Sequence, residues 1–154
     1  MSKKSARIAA LIESCRGKGY DPHYLGYFEC FNRELFYEAH DVLEELWLAS
    51  RQAPDYGFHK GLIQLAGAFV HLQKGRLRPA AALFKLARSY LGKYPSPHQH
   101  LELAGVLDLI EKWLGKLEDG QFLVNPLARE KPPQLRLLGQ GTRAVPNPNG
   151  PEAD

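Results

Sequence analysis

The most informative stretch of this chain is residues 36–47, which reads FYEAHDVLEELW. At about 100° per residue its apolar side chains fall on one stripe of a helix, with His40 in the middle of the stripe and Glu44 at its edge. The other acidic side chains are expected to point toward water: Glu38, Asp41 and Glu45. A half-polar imidazole among apolar side chains needs a partner, because its desolvation is otherwise costly.

A second stretch, residues 60–71, reads KGLIQLAGAFVH. It is apolar over most of the circumference of a helix, and a helix of that kind is buried. Its remaining positions form one narrow stripe: Lys60, Gln64, Gly67 and His71. The glycine permits another part of the chain to approach closely. The economical arrangement sets His40 and Glu44 against this stripe, which predicts an antiparallel helix pair with a polar cluster in its seam.

These two stretches carry a resemblance to a known family. The pattern FNRELFYEAHDVLEELW at residues 31–47, followed by HKGLIQLAGAFVHLQKG at residues 59–75, resembles the signature of the DUF309 family of small helical proteins. The resemblance covers roughly residues 20–95 and implies an all-helical fold. It implies no activity, because the family has none assigned. The chain departs from the family at Gly75-Arg76, where members usually read Gly-Asn.

Composition indicates a soluble globular protein of one domain. The chain has 154 residues, of which 44% are hydrophobic and 24% charged, with a net charge of +3, and these are ordinary values. Its apolar stretches fall short of the ~20 residues that a membrane span needs. After Lys3-Lys4, residues 8–12 are too short for the apolar part of a secretory signal. We therefore expect a cytoplasmic protein with no membrane contact.

The chain lacks the common catalytic and nucleotide-binding motifs. No P-loop, GxGxxG, GxSxG or HExxH pattern occurs, so nucleotide-binding and serine-hydrolase folds have no support. Cys15 and Cys30 are the only cysteines, and their spacing fits neither a CxxC pair nor a zinc finger. In a chain without an export signal they are expected to be reduced packing residues.

Helical periodicity and helix-breaking residues predict an all-α, single-domain antiparallel helical bundle of about four to five helices over residues 1–120. Asn32 is a candidate break and cap within the second helix, and Gly75 is the expected stop of the third. The predicted helices span residues 5–16, 23–49, 56–74, 79–91 and 99–117.

Residues 121–154 form the expected C-terminal tail. More than half of the chain's eleven prolines lie there, together with several glycines. Such a composition predicts an irregular segment that is extended over the body or partly disordered. Its leucines are candidates for docking on the body: Leu135, Leu137 and Leu138.

Three interpretations of the polar cluster compete. In the structural interpretation, favoured by about two to one, the cluster is a buried hydrogen-bonded network, as most buried polar groups are. In the second, His40, Glu44 and His71 hold a divalent metal such as zinc and leave a position open for water, as in a metal-assisted hydrolase. In the third, a cleft binds a small molecule, anionic in view of Lys60. The candidate ligand-binding residues are His40, Glu44, Trp47, Lys60, Gln64 and His71.

Charge is distributed unevenly along the chain. No acidic residue occurs between Tyr56 and Leu101, whereas basic residues accumulate over residues 74–93. This segment is a candidate surface for nucleic acid or another anion, although a solvated face is the favoured interpretation at this net charge. The leading hypothesis is a small helical binding or interaction module for a small molecule or a protein, with a homodimer as a reasonable assembly. Nucleic acid is not the expected partner.

Overall fold

The computed structural model describes residues 6–139, and no strand occurs within that range. It contains six α-helices and one short 3-10 helix at Pro126–Ala128. The all-α prediction is confirmed, and the count of four to five helices is slightly too low. The helices are α1 Ala6–Ser14, α2 Pro22–Asn32, α3 Phe36–Ala49, α4 Tyr56–Gln73, α5 Leu77–Leu91 and α6 Leu103–Asp119.

The additional helix arises from a full break after Asn32. Glu34 has a φ of +63°, a left-handed conformation that no helix tolerates. The prediction that Asn32 caps the new helix is wrong, because α3 follows Leu35 and has no side-chain cap. The Asn32 amide instead donates to the carbonyl of Leu135 and accepts from its N–H, both at 2.7 Å. The side chain therefore anchors the tail rather than a helix.

Helix α4 lies at the centre of the fold and packs between α3 and α5. It runs antiparallel to α3, because Phe69 stacks on Phe36 near one end while Tyr56 stacks on Trp47 near the other. The α4 backbone ends at Gln73, and Gly75 follows with a φ of +72°. The glycine stop predicted from the sequence is therefore confirmed, since this conformation favours glycine.

Helix α5 runs antiparallel to α4. Near one end of the pair Leu91 faces Gly61, and near the other Leu83 faces Gly67. The last helix, α6, begins at Leu103 rather than at residue 99, because residues 98–101 form a turn in which His98 and Leu101 exchange backbone hydrogen bonds.

The tail beyond α6 folds back on the helices. Leu135 and Leu137 are buried, whereas Leu138 is about half exposed at 47%. Glu130 pairs with Lys112 and Lys116 of α6, the latter at 2.9 Å. The part of the predicted tail at residues 140–154 lies outside the described residues, and the division of the chain at residue 120 stays a prediction. Within the described range, no helix has the length and hydropathy to cross a membrane.

Candidate functional site

A pocket of about 230 Å³ opens between α3, α4 and α5. Most of its wall is apolar, and its polar side chains are Tyr37, His40, Gln64 and His71. The lining residues are Tyr37, His40, Ile63, Gln64, Gly67, Val70, His71 and Leu83. The structure thus brings His40, Gln64 and His71 together on facing helices, as the helical periodicity predicts. Gly67 keeps the floor open, because a Cβ there would lie 3.0 Å from Leu83 Cδ1.

The polar atoms of this pocket lack partners. His40 Nδ1, Gln64 Oε1 and His71 Nδ1 are buried, and no atom of the described residues forms a hydrogen bond with them. These three atoms therefore form no hydrogen bond with one another, and the choice among the three interpretations of the cluster stays a prediction. Leaving a buried donor or acceptor unpaired costs about 1–3 kcal/mol. Three such atoms around one cavity are typical of a site arranged for something other than stability.

The charge state of His71 follows from its position. Burial is the main cause that lowers its pKa, and the nearby positive charges of Arg76 and Lys74 lower the pKa further. The imidazole is therefore neutral at pH 7. A neutral imidazole has one N–H donor and one acceptor nitrogen, so His71 offers the pocket a polar contact without a charge.

Three of the predicted ligand-binding residues lie outside the pocket wall: Glu44, Trp47 and Lys60. The Trp47 ring stacks on Tyr56 with centroids 5.1 Å apart, and Lys60 Nζ lies 4.9 Å from the Trp47 centroid and 5.7 Å from that of Tyr90. Lys60 thus lies between two aromatic rings, in cation-π contacts. Among the described side chains, Lys60 forms no ion pair with Glu44.

Glu44 instead belongs to a second group on α3. Ligand atoms of His40, Asp41 and Glu44 lie within 4.8 Å of one another, and all three side chains are partly buried. The expectation that Asp41 points away toward water is therefore wrong, since its carboxylate reaches the side of the helix that carries His40. His71 lies outside this group, and the predicted metal set of His40, Glu44 and His71 stays a prediction.

The sequence analysis missed a second polar cluster, at the opposite end of α4. His98 Nε2 lies 2.8 Å from Asp55 Oδ1, and the Tyr24 hydroxyl donates to the Gln99 carbonyl. Beside them His59 is only 7% exposed, and its Nδ1 has no partner among the described residues. Burial is the main cause that lowers the His59 pKa, whereas the negative charge of Asp55 acts in the opposite direction.

The lowered pKa of His59 predicts a loss of stability in acid. Unfolded His59 takes up a proton as the pH falls below its ordinary pKa of 6.5, while the folded protein resists protonation. The unfolded state then binds more protons, so stability falls with pH, by at most about 1.4 kcal/mol per pH unit for one group. Urea unfolding at about pH 7 and about pH 5.5 should show this loss.

The His59→Gln variant should lose less stability between these two pH values than the wild-type protein. His23→Gln is the matched control, because His23 is more exposed and pairs with Asp21 and Glu45. An equal loss in the wild-type protein and in His59→Gln would contradict the assignment to His59.

The basic segment at residues 74–93 is partly bound to the protein itself. Arg88 pairs with Glu111 of α6 at 2.8 Å, and the Arg78 guanidinium lies 4.4 Å from the Phe122 centroid. Lys93 Nζ lies 5.5 Å from the Tyr90 centroid. Several cations of this segment therefore have contacts within the fold.

Comparison with known proteins gives one match. The sequence model of DUF309, described as a domain of unknown function, matches residues 24–83. No curated protein and no solved structure matches the chain significantly. The matched segment includes every residue that lines the pocket between α3, α4 and α5. Residues 24–83 are therefore similar to the DUF309 family model, and this segment contains the two motifs that carry the resemblance in the sequence.

Proposed function

We propose that this protein is a small helical binding module whose ligand occupies the pocket between α3, α4 and α5. The observation that carries the proposal is the set of buried atoms without partners, His40 Nδ1, Gln64 Oε1 and His71 Nδ1. A ligand that pairs with these atoms would recover the free energy that their desolvation costs. A concave, mostly apolar site with a few convergent polar groups is the usual form of a small-molecule site.

The pocket favours a small, neutral and partly apolar ligand. Its volume of about 230 Å³ is below the ~300–1,000 Å³ of sites for drug-sized molecules. The imidazole of His71 is neutral, and Lys60 lies against Trp47 and Tyr90, so no fixed positive charge among the lining residues selects an anion. A carboxamide or a nitrogen heterocycle would match the apolar walls and supply both a donor and an acceptor.

The proposal is tested with a panel of small neutral amides and heterocycles, benzamide among them, and with toluene as an apolar probe of similar shape. We expect panel members, but not toluene, to shift the ring ¹⁵N resonances of His40 and His71. The His71→Ala variant should bind the amides about 3- to 10-fold more weakly, as the loss of one hydrogen bond predicts. His23→Ala, which removes a histidine outside the pocket, should bind them normally. The proposal fails if no panel member perturbs these histidines at millimolar concentration.

Gly67→Ala should block the pocket without unfolding the protein. The added methyl group would lie 3.0 Å from Leu83 Cδ1, the end of a flexible and only partly buried side chain. Alanine also favours a helix over glycine by about 1 kcal/mol. We therefore expect an unchanged or higher melting temperature together with at least about tenfold weaker binding of the amide probe, measured by calorimetry.

The matched control is Gly115→Ala in α6, where a new Cβ has no heavy atom within 4 Å. It should raise the melting temperature and leave amide binding intact. Normal amide binding by Gly67→Ala would place the site elsewhere.

A metal-assisted hydrolase is the second candidate, favoured by the group of His40, Asp41 and Glu44 beside the pocket. In that case the pocket would hold a substrate, and a metal would activate water. Hydrolysis of an ester or amide probe by metal-loaded protein would distinguish an enzyme from a binding module. A nucleic-acid surface over residues 74–93 is less favoured, because Arg78 and Arg88 have partners within the fold. Localisation in the cytoplasm, binding of a protein partner and assembly as a homodimer also remain proposals.

A further inference from the structure

We infer that α3 carries a divalent-metal site formed by His40, Asp41 and Glu44. Glu44 lies four residues after His40 and three residues after Asp41, so both side chains are its neighbours on the helix surface. The ligand atoms of the three residues lie within 4.8 Å of one another. A metal with ligand bonds of about 2.0–2.2 Å needs its ligand atoms closer than this, so the side chains would have to rotate toward one another when the metal binds.

The charges of Asp41 and Glu44, and the surroundings of Glu44, support the assignment. Asp41 and Glu44 are separated by three residues, and like charges at this spacing on a helix repel each other. Among the side chains that the structure describes, Glu44 has no ion pair or hydrogen bond, and Lys60 of the facing helix lies against Trp47 and Tyr90. A bound cation would turn this repulsion into attraction.

A second observation comes from the imidazole. His40 Nδ1 is buried, and no atom of the described residues pairs with it. Histidine that binds a metal through one nitrogen needs a partner for the other, and His40 has one edge at the carboxylates and also lines the pocket. A metal and a pocket ligand would together satisfy both nitrogens.

The ligand set indicates the class of metal. Mg²⁺ and Ca²⁺ prefer sites made of oxygen alone, whereas imidazole suits first-row transition metals and carboxylates suit Mn²⁺ in particular. One imidazole with two carboxylates therefore fits Mn²⁺, Fe²⁺ or Zn²⁺. Three protein ligands leave coordination positions open, and a ligand in the pocket would lie beside them. This last step, and the partner for the second nitrogen of His40, depend on the proposed binding function, whereas the geometry of the three metal ligands does not.

The metal site is tested with the full chain, purified without an affinity tag and stripped with a chelator. Mn²⁺ is the probe, followed by electron paramagnetic resonance and by calorimetry, and Zn²⁺ is tested second. We expect one equivalent of metal to bind, and Asp41→Asn and Glu44→Gln each to weaken binding by about tenfold or more. Glu45→Gln is the matched control, because it removes the same charge from the same helix and lies outside the ligand group.

The inference is overturned if the wild-type protein binds neither metal at millimolar concentration, or if Glu45→Gln weakens binding as much as Glu44→Gln does. The latter would indicate attraction to an acidic surface alone. Circular dichroism of each variant shows whether it is folded, and the near-isosteric Asp→Asn and Glu→Gln changes preserve shape.

His71→Ala separates this inference from the proposed function. Because His71 lies outside the metal-ligand group, the variant should keep metal binding and lose affinity for the amide probe. Glu44→Gln should lose metal binding, and its affinity for the amide probe, measured without metal, should be unchanged. If the wild-type protein binds metal but no amide, the pocket proposal is rejected and the metal site is retained. If it binds an amide but no metal, only the metal site is rejected.

Discussion

Replacement of Phe69 by Ala should lower the free energy of unfolding by about 3–5 kcal/mol, the usual cost of removing a buried aromatic side chain. Phe69 is fully buried in the central helix α4. Its ring stacks on Phe36 at 5.0 Å and meets the edge of Trp113 at 5.1 Å, and it also contacts Phe31 and Phe84. One ring thus joins α4 to α2, α3, α5 and α6, so its removal leaves a cavity among all five helices.

Urea unfolding followed by circular dichroism measures this loss. Phe69→Leu keeps much of the volume and should cost clearly less, because the size of the remaining cavity sets the cost. Leu123→Ala removes an apolar side chain that is 81% exposed, and it should change stability by no more than about 0.5 kcal/mol. A Phe69→Ala variant with near-wild-type stability would show that the aromatic cluster is not the centre of the core.

The sequence predicts the helices well wherever an apolar stripe is long and unbroken. The ends of α4 follow closely from its periodicity and from Gly75. The break between α2 and α3 is harder to predict, because Glu34 adopts a left-handed conformation that usually marks glycine. The backbone partner of the Asn32 side chain is 103 residues away. Contacts over such a distance leave no periodic pattern in the sequence.

In the candidate site, too, some contacts are predictable from the sequence and others are not. Helical periodicity places His40, Gln64 and His71 at one seam, because each lies on the inward stripe of its helix. Helical periodicity fails for Asp41. A rotation of about 100° per residue gives the direction in which a side chain leaves the helix, but it does not give the position of the carboxylate at the end of that side chain. The contact between Asp55 and His98 spans 43 residues and depends on the turn before α6. Helical periodicity predicts neither how far a side chain reaches nor how a loop folds.

Deletion of residues 132–154 should destabilise the protein strongly, although the tail contains no helix beyond residue 131 within the described range. Leu135 and Leu137 are 4% and 1% exposed, and burial of a leucine side chain contributes about 1.5–3 kcal/mol. We therefore expect a loss of about 3–6 kcal/mol, an upper range because unfolded chains already bury some apolar surface. The Asn32 side chain would also lose both hydrogen bonds to Leu135.

The matched control is deletion from Thr142 onward, which keeps both leucines. Its removed residues are rich in proline and glycine, and we expect the melting temperature to stay within a few degrees of the wild-type value. The pair of deletions assigns any loss to residues 132–141, because only that segment differs between them. Equal melting temperatures for the two would contradict the docking of Leu135 and Leu137. A loss only on the longer deletion would make this part of the tail a component of the folded core, which its composition alone does not predict.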